Sequence, residues 1–242
     1  MEQLVQFLEG LGFTKVQDQL DFLLNPSNLP MAIWETLYAP FLAAIFAYVI
    51  GLPLGVLLVT GEEGGIHPLP KWLMTLLNTL INLLRSVPFL ILMVVVFPLS
   101  RLILGTSIGT TATIVPLTVA AAPYVARLVE ASLREIDHGV IEAAQSMGCS
   151  TLQIVTKVML PECKPSLIVG ATNASITILG YGAMAGNIGG GGLGAISLLR
   201  GHGRGQTLVL YVAVIILVIL VQIIQSLGTK LATACDKRLR KS

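Results

Sequence analysis

The residues that could do chemistry in this chain are few, and they lie far apart in the sequence. The three histidines fall in separate predicted loops, and the three cysteines lack the spacing of a zinc site or a disulfide framework. Gly189, Gly191 and Gly194 match GxGxxG, but a long apolar stretch precedes them and no acidic residue follows at the distance that a dinucleotide site requires. No GxxxxGK(S/T) segment occurs, so a P-loop is excluded. We therefore expect a chain that is not an enzyme and that holds no metal or cofactor.

One stretch, residues 134–164, is much richer in charge than its surroundings, and we call it the charged loop. Asp137 can cap the start of a helix there, and Gly148 can adopt the left-handed conformation that often ends one. A short helix is predicted between them, with Ala143 and Ala144 small enough to let another surface approach closely.

A second short helix is predicted from Thr151, with its end at Leu160-Pro161, because proline lacks a backbone N–H. The pattern alone leaves two interpretations of the charged loop open. It is a re-entrant hairpin that covers helix ends, or it is an element on which another protein docks.

Arg85 lies within an apolar stretch, where a charged side chain is costly and usually faces the protein interior or a partner. It could contact a pathway or a subunit interface, or it could extend toward the membrane surface. Asn78 and Asn82 lie one helical turn apart and could help to hold it.

The elements that position these residues are predicted from hydropathy. The chain has 242 residues, of which 54% are hydrophobic and 12% charged, against about 25% charged in a typical soluble domain. Four stretches contain no Asp, Glu, Lys or Arg at all: residues 36–61, 102–126, 165–199 and 205–229. A soluble helix needs a polar face, so these stretches indicate an integral membrane protein. The net charge of +2 is too small to indicate a nucleic-acid-binding protein.

Five membrane spans are predicted, and together they make an all-α polytopic helical bundle. The second span is expected to be interrupted by Arg85 and kinked near Pro88, and the fourth to fade into the glycine-rich stretch Gly186–Gly194. The predicted spans cover residues 36–59, 72–98, 108–125, the stretch from 166 to about 186, and 208–227.

The distribution of basic residues predicts the orientation of the spans. With the N-terminus outside, ten of the fifteen Lys and Arg residues fall on the cytoplasmic side, including those of the charged loop. The predicted organisation is an N-terminal extension with a surface helix (1–30), a transmembrane domain (31–229) and a basic cytoplasmic tail (230–242). The extension reads as a short amphipathic helix, broken around Gly10–Gly12 and closed by Asn25-Pro26.

The charged loop resembles the EAA loop of permease subunits of ATP-binding-cassette importers. The resemblance rests on Glu142-Ala143-Ala144, then Gly148, then Ile154 and Leu160-Pro161, with matching types and spacing over twenty positions. In that family, the loop is the coupling helix that docks in a cleft of the ATPase. The resemblance therefore assigns ATPase coupling to Glu142, Ala143, Ala144, Gly148, Leu160 and Pro161.

From about residue 31 onward, the chain is similar to the bacterial methionine-importer permease family. The matching segments are Arg85–Phe89, Gly105–Gly109, Val115–Val119, Ala122-Pro123 and Gly180–Met184. The family's segment around Met184 lines the gate at the dimer axis. By this resemblance, Tyr181, Met184 and Asn187 are candidate pathway or gate residues, with ordinary helix packing as the alternative for each. Arg85 joins the candidate pathway residues because of its charge within an apolar stretch.

The resemblance implies a type I importer permease fold: a homodimer of five-span subunits in the bacterial inner membrane. Each subunit would bind one of two ATPase subunits, and a lipid-anchored or soluble binding protein would deliver methionine, D or L or both. Transport would follow alternating access, with ATP hydrolysed by the partner.

Three alternatives differ in class. A related importer permease could carry another amino acid or solute. A secondary transporter would need a carboxylate within the membrane, which the predicted spans do not supply. A membrane-embedded enzyme would need a nucleophile, base or metal set at membrane depth, and no His, Asp or Glu lies there.

Overall fold

The computed structural model describes residues 2–236, and every regular element in that range is helical. The helices, in chain order, are α1 (Glu2–Gly10), α2 (Val16–Leu24), α3 (Leu29–Thr60), α4 (Lys71–Ser86), α5 (Phe89–Leu104), α6 (Ile114–Arg134), α7 (His138–Ser146), α8 (Thr151–Gln153), α9 (Leu160–Glu162), α10 (Lys164–Ala185), α11 (Gly192–Ala195) and α12 (Thr207–Cys235). Wider π-helical turns connect α8 to α9 (Ile154–Met159) and extend α11 (Ile196–His202). The all-α prediction is confirmed.

Within residues 2–236, four helical stretches are long and apolar enough to cross a membrane: Leu29–Thr60, Thr110–Arg134, Lys164–Ile188 and Thr207–Cys235. The predicted second span is instead two helices, α4 and α5, bent by 111°. Pro88 explains the break, because proline disfavours a helical conformation in the preceding residue, and Val87 is extended. The count of five holds if this bent pair is one span.

The observed bounds differ from the predicted ones mainly at the helix ends. α3 begins seven residues before the predicted start at Thr36, and α12 continues to Cys235. Both extensions carry polar residues that hydropathy assigns to loops. Residues 230–235 of the predicted basic tail are thus helical, and residues 237–242 lie outside the described range.

The described chain divides into two compact units. The first comprises the chain up to Ala43, Phe89–Leu117 and Thr177–Ile223. In it, α2 packs against the start of α12: Val16 and Leu23 form a buried cluster with Leu208 and Val209. The predicted break between α1 and α2 is present, with Gly12 at φ +91°.

Buried Gln19 strengthens this packing. Its side chain donates to the carbonyl of Thr14 (2.6 Å) and accepts from the backbone N–H of Val209 (3.2 Å). It therefore satisfies one of the N–H groups that the first turn of α12 leaves without a partner.

The second unit comprises Ala44–Pro88, Thr118–Ile176 and the chain from Ile224 onward. Here α3 packs against α6 through two glycines four residues apart. A β-carbon on Gly51 would lie 2.8 Å from the side chain of Val125, and one on Gly55 would lie 2.6 Å from that of Val129. This is the small-xxx-small pattern that lets helices approach closely in membranes. It fixes α6, which leads directly into the charged loop.

Candidate functional site

The first helix of the charged loop, α7, has a well-defined start. Asp137 is extended, and its carboxylate accepts a 2.7 Å hydrogen bond from the backbone N–H of Gly139. This bond satisfies one of the free N–H groups of the first turn, as expected for an Asp N-cap. The prediction that Asp137 caps this helix is confirmed.

The end of α7 is equally well defined, by a left-handed turn at Gly148. Gly148 has φ +77°, and its N–H donates to the carbonyl of Gln145 (2.9 Å). The next N–H, that of Cys149, donates to the carbonyl of Ala144 (3.2 Å). These two bonds make the Schellman motif, in which glycine is favoured because a β-carbon is strained at positive φ. The prediction that Gly148 ends this helix is confirmed.

One face of α7 packs against the rest of the unit, and the opposite face is exposed. Ala144 is 1% exposed, so it packs against the rest of the unit, whereas Glu142 and Ala143 are exposed. Of the two alanines expected to admit another surface, only Ala143 is therefore accessible. Val140 and Met147, at the two ends of this helix, are 40% and 76% exposed.

The second helical segment of the charged loop begins where the sequence predicts. Ser150 and Gln153 form a reciprocal capping box at its start. The prediction that Leu160-Pro161 ends the helix is wrong, since the helical segment continues to Glu162. Pro161 lies in the first turn of α9, after the π-helical turns, where a missing N–H is tolerated. Leu160 is half-buried and Pro161 exposed.

Cys163 follows this segment as a buried free thiol. Burial, with added repulsion from the carboxylates of Glu135 and Glu162, raises the pKa of Cys163 to about 11. The thiol is therefore protonated and unreactive near neutral pH.

Asn78 and Asn82 contact a different arginine from the one predicted. Both side-chain oxygens accept 2.9 Å hydrogen bonds from Arg127 on α6. Arg85 lies in the last turn of α4, and its side chain is exposed. Periodicity could indicate only that the two asparagines share a face, because Arg127 is distant in sequence.

Three of the four candidate pathway residues lie on α10 and on the short 3₁₀ turn after it, Gly186–Ile188. The ring of Tyr181 stacks on Phe89, with centroids 4.4 Å apart and planes within 4°. Met184 is 48% exposed, and Asn187 is exposed too. The structure thus brings Tyr181 to the start of α5 and leaves Met184 and Asn187 accessible. Arg85 belongs to the other unit.

The glycine-rich stretch after α10 is held by two polar residues that the sequence reading missed. Glu35 accepts a 2.7 Å hydrogen bond from the N–H of Gly192, and the hydroxyl of Thr36 accepts a 2.8 Å bond from that of Leu193. Gly191 packs so closely on Thr110 and Glu35 that a β-carbon would overlap both. The glycines are thus required by close approach, and Glu35 was missed because the first span was predicted to begin after it.

The sequence profile of a family described as "binding-protein-dependent transport system inner membrane component" matches residues 51–241. The chain belongs to this family. It is therefore a membrane-embedded permease of a binding-protein-dependent transport system and catalyses no reaction itself, as the sequence predicted.

Curated relatives cover most of the chain. The probable D-methionine transport system permease protein MetI of Vibrio cholerae is 47% identical over 218 residues, which are 90% of this chain and 96% of that protein. The D-methionine transport system permease protein MetI of Escherichia coli K12 is 49% identical over 158 residues, which are 65% of this chain and 72% of that protein. The resemblance stated from the sequence is confirmed.

Solved structures share the fold. A chain of the MetNI methionine ABC transporter, crystallised in inward-facing conformations, superposes with a TM-score of 0.84 at 45% identity and covers 86% of this chain and 96% of that one. A chain of an amino acid ABC transporter, crystallised with histidines, is 19% identical, with a TM-score of 0.69 over 84% of this chain and 92% of that one, so it shows the fold alone. The type I importer permease fold is confirmed.

Proposed function

We propose that this chain is the permease subunit of an ATP-binding-cassette importer for methionine, assembled as a homodimer with two ATPase subunits. The observation that supports methionine as the substrate is the 47% identity to a D-methionine permease over 96% of its length. The similarity to a chain of the MetNI methionine ABC transporter supports the same conclusion.

The ATPase docks on α7. The exposed face of this helix carries the Glu142 carboxylate beside Ala143, whose small side chain lets a partner approach closely. Both ends of α7 are fixed by hydrogen bonds, so the helix can move as a rigid unit. Gly148 supplies the turn that holds the helix in register, and Leu160 and Pro161 lie at the far end of the loop. Closure of two ATPases would draw the paired α7 helices together.

The substrate passes at the dimer axis. Met184 and Asn187 are exposed and close the pathway between subunits, and Tyr181 is held in place by its stack on Phe89. Methionine is flexible and polarisable, so Met184 suits contacts with a thioether substrate. Arg85 lies on the subunit interface or pathway, where an exposed guanidinium gains a partner.

Delivery and orientation complete the proposal. The charged loop and the basic C-terminus face the cytoplasm, and the N-terminus lies outside, as the distribution of basic residues supports. A lipid-anchored binding protein delivers methionine from outside. ATP binding opens the cavity outward, and hydrolysis returns it to the inward-facing state.

The test is uptake in cells that lack their own methionine importers. The chain is expressed with its genomically adjacent ATPase and binding protein, and uptake of radiolabelled L- and D-methionine is measured. We expect methionine uptake that excess unlabelled methionine abolishes and other amino acids do not. Uptake of a different amino acid, without methionine uptake, would refute the assigned substrate and leave the importer class intact.

A further inference from the structure

Six polar side chains in the second unit form one continuous hydrogen-bond network. Four of them are charged, with two arginines balanced by two glutamates, and two are asparagines. The hydrogen-bonded partners follow one another in the order Glu62, Arg134, Glu130, Arg127 and then Asn78 with Asn82. The network connects three separate parts of the unit: the turn after α3, helix α6 and helix α4.

The end of the network nearest the charged loop is a bidentate ion pair. Arg134 donates to both carboxylate oxygens of Glu62, at 3.1 and 2.7 Å. The same guanidinium also donates twice to Glu130, at 3.2 and 3.0 Å. A planar guanidinium held by four such bonds has a fixed orientation, which a lysine could not reproduce.

The other end of the network forms hydrogen bonds with two successive turns of α4. Glu130 accepts a 2.6 Å bond from one terminal nitrogen of Arg127, and the other nitrogen donates to Asn78 and Asn82. The side chains of Arg127 and Glu130 are only 21% and 12% exposed, so solvent screens this end weakly.

Two residues of the network also line the groove beneath α7. The groove, of about 410 Å³, is lined by Glu62 and Arg134 on one side and by His138, Glu142 and Gln145 of α7 on the other. Arg134 is the last residue of α6, three positions before the Asp137 cap. A displacement of α7 therefore reaches Arg134 through a very short connection.

We propose that these six side chains form a rigid linkage that carries the displacement of α7 to α4 during transport, with Arg127 as the residue that positions α4. The proposal rests on the proposed function, because α7 moves only if an ATPase drives it. α4 ends at Ser86, directly before the break at Val87-Pro88, so a pull on Asn78 and Asn82 would act on the second half of this helix.

A neighbouring ion pair provides a matched control. Glu63 lies beside Glu62 in the same turn and pairs with Lys71 at 3.0 Å, but these two side chains are 80% and 82% exposed. An exposed pair of this kind contributes little to structure. Glu63→Gln removes the same charge as Glu62→Gln without cutting the linkage.

The experiment measures how many ATP molecules are hydrolysed for each methionine taken up. Liposomes contain the complete transporter with wild-type, E62Q, R127Q or E63Q permease, and binding protein is supplied. For E62Q and R127Q, we expect ATP hydrolysis within about twofold of wild type but a ratio of ATP to methionine raised roughly tenfold, inside the range typical of coupling between sites. For E63Q, we expect the wild-type ratio.

A second measurement separates transmission from simple stability. Thermal unfolding of each purified complex is recorded, because a purely structural network would lower the unfolding midpoint and leave the ratio unchanged. That result, or an equal rise in the ratio for E63Q, would overturn the proposal. If R127Q does not assemble, R127K and E62Q decide by the same criteria. Failure of the wild-type complex to take up methionine would instead refute the proposed function.

Discussion

Replacing Gly148 tests whether coupling depends on the left-handed turn that ends α7. At φ +77°, a residue with a β-carbon pays about 1–2 kcal/mol of backbone strain. A β-carbon there would meet nothing within 4 Å, so steric overlap adds no further cost. Since 1.4 kcal/mol is a factor of about ten, Gly148→Ala should lower the equilibrium ratio of correctly seated to displaced α7 by roughly five- to thirtyfold. Gly148→Asn should cost less, because asparagine tolerates this conformation.

Gly148→Pro should be the most severe change. Proline fixes φ near −65° and removes the N–H that donates to Gln145. We expect methionine uptake to fall in the order wild type, Asn, Ala, Pro, measured in membranes that contain equal amounts of the permease dimer. Gly12→Ala is the control, because Gly12 has φ +91° and similar open space but lies between α1 and α2. Normal uptake by Gly148→Pro, or an equal loss in Gly12→Ala, would refute the reasoning.

Three further predictions concern the pathway, the packing and the thiols. Met184→Cys should form a crosslink between the two subunits of the resting dimer, and failure with every linker length would indicate ordinary packing. Gly55→Ala should lower the thermal unfolding midpoint of the complex, because its β-carbon would lie 2.6 Å from a neighbouring side chain, whereas a β-carbon at Gly180 meets nothing within 4 Å, so Gly180→Ala should leave the midpoint nearly unchanged. With its pKa raised to about 11, Cys163 should react with maleimide far more slowly than Cys149 at pH 7 and should accelerate only as the pH approaches 11. In sealed cells, a reagent confined to the outside should label neither.

Local features of the charged loop could be predicted because their signals lie close together in sequence. Asp137 and Gly148 bracket one helix, and each acts on backbone groups only a few residues away. Capping chemistry depends on residue type and spacing, so the bounds of α7 followed from the sequence. The π-helical turns before Pro161 could not be predicted, because widened turns carry no residue pattern of their own.

Contacts between distant segments could not be predicted in the same way. Asn78 and Asn82 were expected to hold Arg85 because periodicity describes one helix at a time. Their observed partner, Arg127, comes from another helix, 45 to 49 residues further along the chain. Pro88 similarly indicated a kink, but the 111° angle between α4 and α5 depends on how each helix packs. Resemblance to a family supplied the function that periodicity left open.

The most direct test of the central claim is methionine accumulation in liposomes that contain this chain and its ATPase, with binding protein supplied on the side of the N-terminus. The account predicts accumulation that requires both ATP and binding protein and that is lost on Glu142→Lys, while the dimer still forms. Accumulation driven by an ion gradient without the ATPase would contradict it, as would full transport by the Glu142→Lys variant.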